Sequence, residues 1–211
     1  MQFTDEKEER IIRESMKIFL RLGIKSVNMD DIAARLGMSK KTLYKYVNDK
    51  VDLVKRVFDC HVAHETEQMK TVTDRNLNAV DEAFEMMRMV ITMVKDINPV
   101  VIFDMHKFYP ELMQNMECQR SQLMWESLKS NLHKGIEEGY YREDLNVDFI
   151  VSLYVSAIKG IFEQLGEQPT QLSFGQLYLE LFRYHIRGIA SEKGLQYLIE
   201  KVNQERQNQV T

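Results

Sequence analysis

The sequence predicts an all-α fold made of a small N-terminal head and a larger helical body. Three observations carry that prediction. Apolar residues recur at three- and four-residue spacing along nearly the whole chain, the period of an amphipathic helix. The apolar-polar alternation of a half-buried strand is missing. Glycine occurs 9 times and proline 3 times in 211 residues, too seldom for the many tight turns of an all-β chain. A chain of this length forms one large domain or two small ones, and it buries a core without a disulfide or metal staple. Its two cysteines, Cys60 and Cys118, lie far apart, and its acidic N-terminus is the reverse of a signal peptide. No apolar run reaches the roughly 18 residues of a membrane span, so a soluble, cytoplasmic protein is expected.

The elements follow in order. Ile11, Ile12, Ser15, Ile18, Phe19 and Leu22 form one stripe, with Thr4 as cap, acids in the first turn and Gly23 as the stop. A short helix follows: Asn28 caps it, Asp31 completes a capping box, and Ile32, Ala33 and Leu36 face inward. Gly37 ends it. Ser39 caps the next helix, Lys40 to about Val47. Asn48 and Asp49 start a longer one with Val51, Leu53, Val54 and Val57 as apolar positions. Later helices are expected at 76–95, 99–108, 110–138, 147–166, 172–190 and 195–206. Breaks fall at Asn98-Pro99, Tyr109-Pro110, Gly139 and Glu167-Gln168-Pro169. The expected domains are a head at 1–50, a connecting helix at about 49–70 and a body at 71–211.

The most informative stretch is Asn28 to Lys50. It reads as helix, tight turn, helix: Ala33 is small where two helices cross, Gly37 suits a left-handed turn position, and Met38 and Leu43 face the core. The second helix offers Lys40, Lys41, Thr42, Tyr44, Lys45 and Tyr46 outward. Short donors near a helix N-terminus reach base edges, while Lys and Tyr reach phosphates. The charge is divided in the same sense. The formal net charge is −4, yet residues 1–60 hold 13 basic and 10 acidic side chains, leaving the remainder at −7. A weakly basic head on an acidic body suits a polyanion partner.

Over residues 8–60 the sequence resembles the TetR family of bacterial transcriptional regulators. The matching pieces are Ile18-Phe19, Gly23, Val27 to Ala33, Leu36-Gly37-Met38-Ser39, Thr42 to Lys50 and Leu53. Lys41 departs from the usual Gly or Ala, and Val47 from the usual Phe. The resemblance implies a helix-turn-helix DNA-binding domain with a helical ligand-binding and dimerisation domain behind it. It implies DNA contact by Thr42, Tyr44, Tyr46 and Lys50. A charge on Lys50 opposes the dipole of the helix it begins, a small cost that a phosphate contact would offset. The segment Gly135 to Leu145 resembles a family segment before the dimerisation helices, less specifically.

Methionine gathers between residues 86 and 124, and Met is a flexible filler that suits either a ligand pocket or a plain core. The candidate pocket residues are Met86, Met89, Met93, Phe103, His106, Phe108, Met124, Trp125 and Tyr154. The helix near 147–166 is apolar almost all round, so it is buried on more than one side. Phe149, Leu153, Ser156, Ala157 and Gly160 on it, with Leu181 and His185 on the next helix, are the candidate dimer interface.

An enzyme finds no support: there is no Gly-rich phosphate loop, nucleophile elbow or metal signature. His61 and His64 beside Cys60 supply too few ligands for a metal, and Cys118 has only Arg120 near it in sequence to lower its pKa. No cofactor is expected. The expected function is a homodimeric, sequence-specific DNA-binding regulator. It would be a repressor released from a pseudo-palindromic operator by a small apolar or amphipathic effector. The alternative is a non-sensing DNA-binding or protein-assembly module with a filled body core.

Overall fold

A computed structural model of the chain describes residues 5–95, 98–167 and 173–208. The described residues form helices α1 (Glu6–Leu22), α2 (Met29–Arg35), α3 (Lys40–Leu43), α4 (Lys50–Thr73), α5 (Ala79–Lys95) and α6 (Pro99–Phe108). They continue with α7 (Pro110–Glu137), α8 (Val147–Glu167), α9 (Phe174–Ile189) and α10 (Glu192–Asn208). The only extended pairing among them is an isolated bridge between Tyr141 and Ala190. The all-α expectation therefore holds. No helix among the described residues is long and apolar enough to cross a membrane.

Local chemistry sets the boundaries. The cap of α1 is Asp5, whose carboxylate accepts from the N–H groups of Lys7 and Glu8; the expected cap, Thr4, lies outside the described residues. Asn28 and Asp31 form the anticipated capping box of α2. The helix expected to run from Lys40 to Val47 stops at Leu43. Beyond it the N–H groups of Lys45 and Tyr46 bond three residues back, to Thr42 and Leu43, which tightens the chain into a turn. Asp49 opens α4: its carbonyl accepts from Leu53 and its carboxylate from Asp52.

The chain divides into two compact units. One comprises Met1–Gln68 with Asp96–Arg120; the other comprises Met69–Lys95 with Ser121–Thr211. The sequence grouped 99–120 with the body, whereas the described contacts gather α6 and the start of α7 with the head. In the first unit, Ile11, Ile12, Phe19, Ile32, Leu43, Leu53 and Val54 are fully buried. In the second, α9 packs on both α5 and α8. Phe84 and Phe182 meet edge to face at 5.0 Å there, beside Tyr154, Ile158 and Tyr178.

Candidate nucleic-acid interface

Between α2 and α3 the chain turns on Gly37, whose φ is +67°. The Met38 N–H bonds to the Ala33 carbonyl and the Gly37 N–H to that of Ala34, the paired closure that ends a helix on a left-handed residue. Ser39 then caps α3, accepting from the Thr42 N–H at 3.1 Å, while its hydroxyl meets that of Thr42 at 2.8 Å. Leu43, fully buried, pins the short helix to the core. This leaves the other side of α3 and its following turn toward solvent.

The sequence candidates on that side fall into two groups. Lys41, Tyr44 and Lys45 are exposed and half-buried Thr42 borders them. Lys40, Tyr46 and Lys50 are already engaged. The Lys40 ammonium pairs with Asp30 at 2.8 Å, and that hydrogen bond, over a smaller opposing desolvation, lifts its pKa. The Tyr46 hydroxyl donates to Asp5 at 3.4 Å. Arg56 donates to the Tyr46 carbonyl and pairs with the buried carboxylate of Glu8, which ties the end of the turn to α1 and α4.

Lys50 is the most informative. Its half-buried ammonium donates to the carbonyls of Ile24, at 2.7 Å, and Val27. Desolvation by burial, then the charge of Lys25, lowers its pKa. The same turn is gripped from another side by Asp104 of α6. That buried carboxylate accepts from the Ile24 N–H at 2.8 Å and the Lys25 N–H at 2.7 Å. Residues 23–27, which join α1 to α2, are thus held by an anion on two N–H groups and a cation on two carbonyls. Gly23 is required twice over: its φ is +81°, and a Cβ there would come within 3.0 Å of Val100 and 3.2 Å of Asp104. The sequence reading missed Asp104. Its signal was a lone acid in a helix that is apolar from Pro99 to Phe103 and again at Met105.

The pocket candidates are divided between the two units. Met124, Trp125 and Tyr154 border or enter the core of the second unit. Met86, Met89 and Met93 are half-buried on α5, which instead turns Phe84 and Met87 to that core. Phe103, His106 and Phe108 belong to the first unit and are exposed, whereas Val101 and Met105 fill the buried face of α6. Beside Tyr154 are two further polar rings, buried Tyr178 and half-buried His185. His185 stacks on Tyr154 at 4.0 Å and burial lowers its pKa to about 4, so the imidazole is neutral. Burial pushes the Tyr178 hydroxyl up to about 12 and that of Tyr154 higher still.

The dimer candidates lie on α8 and α9, which pack against each other. Phe149 and Leu153 on α8 are 61% and 57% exposed, large values for apolar side chains, and Ser156 follows them in solvent. Ala157, Gly160, Leu181 and His185 are half-buried, and the space beside the Gly160 Cα is open. Tyr184 on α9, 79% exposed, was not foreseen.

Comparison with known proteins follows the same outline. Residues 11–57 match the model of the bacterial regulatory proteins of the tetR family. The chain is 21% identical over 187 residues to YvaF, an uncharacterised HTH-type transcriptional regulator of Bacillus subtilis, covering 88% of this chain and 97% of that one. A Thermobifida fusca transcriptional regulator of the TetR/AcrR family superposes with a TM-score of 0.65 at 16% identity, covering 87% of this chain and 98% of that one. A Saccharomonospora viridis transcriptional regulator crystallised in complex with choline gives a TM-score of 0.73 at 16% identity, over 89% and 99% of the two chains. At such identities the structural likeness speaks for the fold.

Proposed function

We propose that the chain, whose residues 11–57 match the model of the bacterial regulatory proteins of the tetR family, is a homodimeric regulator that reads an operator with α3. The observation that carries the reading is the set of exposed Lys41, Tyr44 and Lys45 with half-buried Thr42, on α3 and its following turn, anchored by Leu43 and capped by Ser39. Thr42 and Lys41, near the helix start, face base edges. Tyr44 and Lys45, with Lys40 and Tyr46 once released from Asp30 and Asp5, face phosphates. An ammonium has three donors, and Lys50 spends two on the turn, so one remains for a phosphate.

One such helix makes few base contacts. Two copies on half-sites roughly 34–36 Å apart supply useful specificity. The exposed Phe149, Leu153 and Tyr184 would be covered by the same residues of a second copy, with Ser156, Ala157, Gly160, Leu181 and His185 beside them. This would form a two-fold interface of two helices from each chain. The second unit would hold the effector, an apolar or amphipathic small molecule. The effector must bind the DNA-incompetent state better than the competent one, or it shifts nothing. That the S. viridis protein of similar fold was crystallised with choline supports a small-molecule role for the body. Release from the operator, hence repression, is the form of control we infer.

The test is selection of bound fragments from a genomic library at physiological salt, with the Thr42→Ala and Lys41→Ala variants in parallel. Enrichment of a palindromic site, with altered base preference in the variants, is expected. Binding without preference among fragments would overturn the reading.

A further inference from the structure

The outward face of α1 carries Arg10, Glu14, Lys17, Ile18 and Arg21 at the spacing of one helical stripe, opposite the buried Ile11, Ile12, Ser15 and Phe19. The end of α2 brings Arg35 and Leu36 alongside, and together they bound an open groove of about 230 Å³. Its floor is apolar: Ile18 and Leu22 are half-buried and Leu36 is buried. Its rim holds four cations and a single acid, a net charge of +3. Glu14 is taken by Lys17 at 2.7 Å, and Arg10 donates to the Leu36 carbonyl at 3.1 Å. Arg21 and Arg35 have no hydrogen-bond or ion-pair partner among the described residues. None of these residues belongs to α3 or its following turn.

We propose that this groove docks an acidic segment of a partner protein that carries one apolar anchor. Two unpaired guanidinium groups are forks shaped for carboxylates or phosphates. The floor decides between the two. Ile18, Leu22 and Leu36 add nothing to a phosphate backbone, but they bury an apolar side chain set between acidic ones. The volume is below the roughly 300–1,000 Å³ of pockets for drug-sized ligands, and it suits a single large side chain. The acidic segment lies across the rim, with carboxylates on Arg21 and Arg35 and its anchor on the floor. Docking here leaves Lys41, Thr42, Tyr44 and Lys45 free, so operator and partner can be held together.

The experiment uses the full chain and three labelled peptides of helical design. One carries Glu at four-residue spacing around a central Leu, the second carries Gln in place of Glu, and the third carries Ser in place of Leu. Anisotropy titrations are run with the wild type and with Arg21→Gln/Arg35→Gln, whose fold is checked by circular dichroism and whose affinity for DNA is measured across salt. We expect the first peptide to bind at least tenfold tighter than the other two. The double variant should lose that tenfold and hold DNA as the wild type does. Equal binding of the Glu-Leu and Glu-Ser peptides would reduce the groove to unspecific charge and overturn the proposal, as would no binding of the first peptide. Loss of DNA affinity with a salt slope shallower by about 2 would assign the two arginines to phosphates instead, and also overturn it.

Discussion

Replacing Asp104 with Ala removes the anion that holds the α1–α2 turn. Two bonds go, to the N–H groups of Ile24 and Lys25. Hydrogen bonds to a charged group contribute roughly 1.5–3 kcal/mol each, and an orphaned buried donor costs roughly 1–3 kcal/mol. The Ile24 site is buried, so its N–H is the one stranded; Lys25 is exposed and water replaces its partner. The expected loss for the first unit is therefore about 3 kcal/mol. Asp104→Asn keeps the shape and an acceptor oxygen but no charge, and should lose about half as much. Hydrogen exchange of the Ile24 and Lys25 amides reads the change where it occurs, and urea unfolding followed in the first unit reads its total. Because the turn sets where α2 begins, operator affinity should fall with amide protection. If Asp104→Ala left both amides protected and the unfolding midpoint unmoved, the grip of α6 on the turn would have no energetic weight and the reasoning would be wrong.

Gly23→Ala should cost about 1–3 kcal/mol from a positive-φ extended backbone that is nearly glycine's alone, plus the crowding against Val100 and Asp104; Gly37→Ala, with open space around it, should cost only about 1–2 kcal/mol of backbone strain. Thermal melts of the two variants compare them directly. Burial opposes ionisation of Glu65, but hydrogen bonds from His61 and Arg120 win and hold its pKa at about 2. That value lies below the unfolded one, so the stabilisation is present above about pH 4.5 and drains away as pH falls toward 2. Arg120→Met should move the onset of acid unfolding to higher pH, read by circular dichroism. Leu153→Glu should give a monomer by light scattering and lose operator binding with the head still folded; a dimer that binds DNA normally would refute the α8–α9 interface. The Tyr154 hydroxyl is buried without a hydrogen bond of normal geometry. Tyr154→Phe should therefore raise the melting point slightly or leave it unchanged, rather than lower it as loss of a good bond would.

The head was legible because its signals are local. Asn28 with Asp31, Ser39 before Lys40, and Gly37 after Leu36 each specify a boundary within four residues. The overlong reading of α3 has a local cause too: Tyr44, Lys45 and Tyr46 fit a helix in periodicity, and only the three-residue bonds show that the chain has already turned. Lys50 and Asp104 lie beyond that reach. Their partners stand 26 and 80 residues away, and no pattern links an acid in α6 to the turn at Ile24. The inward face of α6 was illegible for a related reason. Val100, Val101, Ile102, Phe103, Met105 and Phe108 make that helix apolar on every side, so periodicity names no inner face, and packing chose Val101 and Met105.

The body presents the same ambiguity in a more consequential form. A core built only to fold would have little use for Tyr154, Tyr178 and His185 close together, since each polar ring is costly to desolvate and none of the three ionises in the ordinary range. A neutral imidazole stacked on a phenol, with a second buried phenol near, is a set of donors and acceptors in apolar surroundings. If the proposed effector enters the body, such a set would suit a polar head beside Phe174, Phe182 and Trp125, which a purely hydrocarbon effector would not need. An amphipathic effector would offer the Tyr154 hydroxyl a hydrogen bond of normal geometry. Tyr154→Phe would then separate the two readings of the body. A sensing protein keeps its fold and loses its response to the effector, while a filled, non-sensing core changes in stability alone.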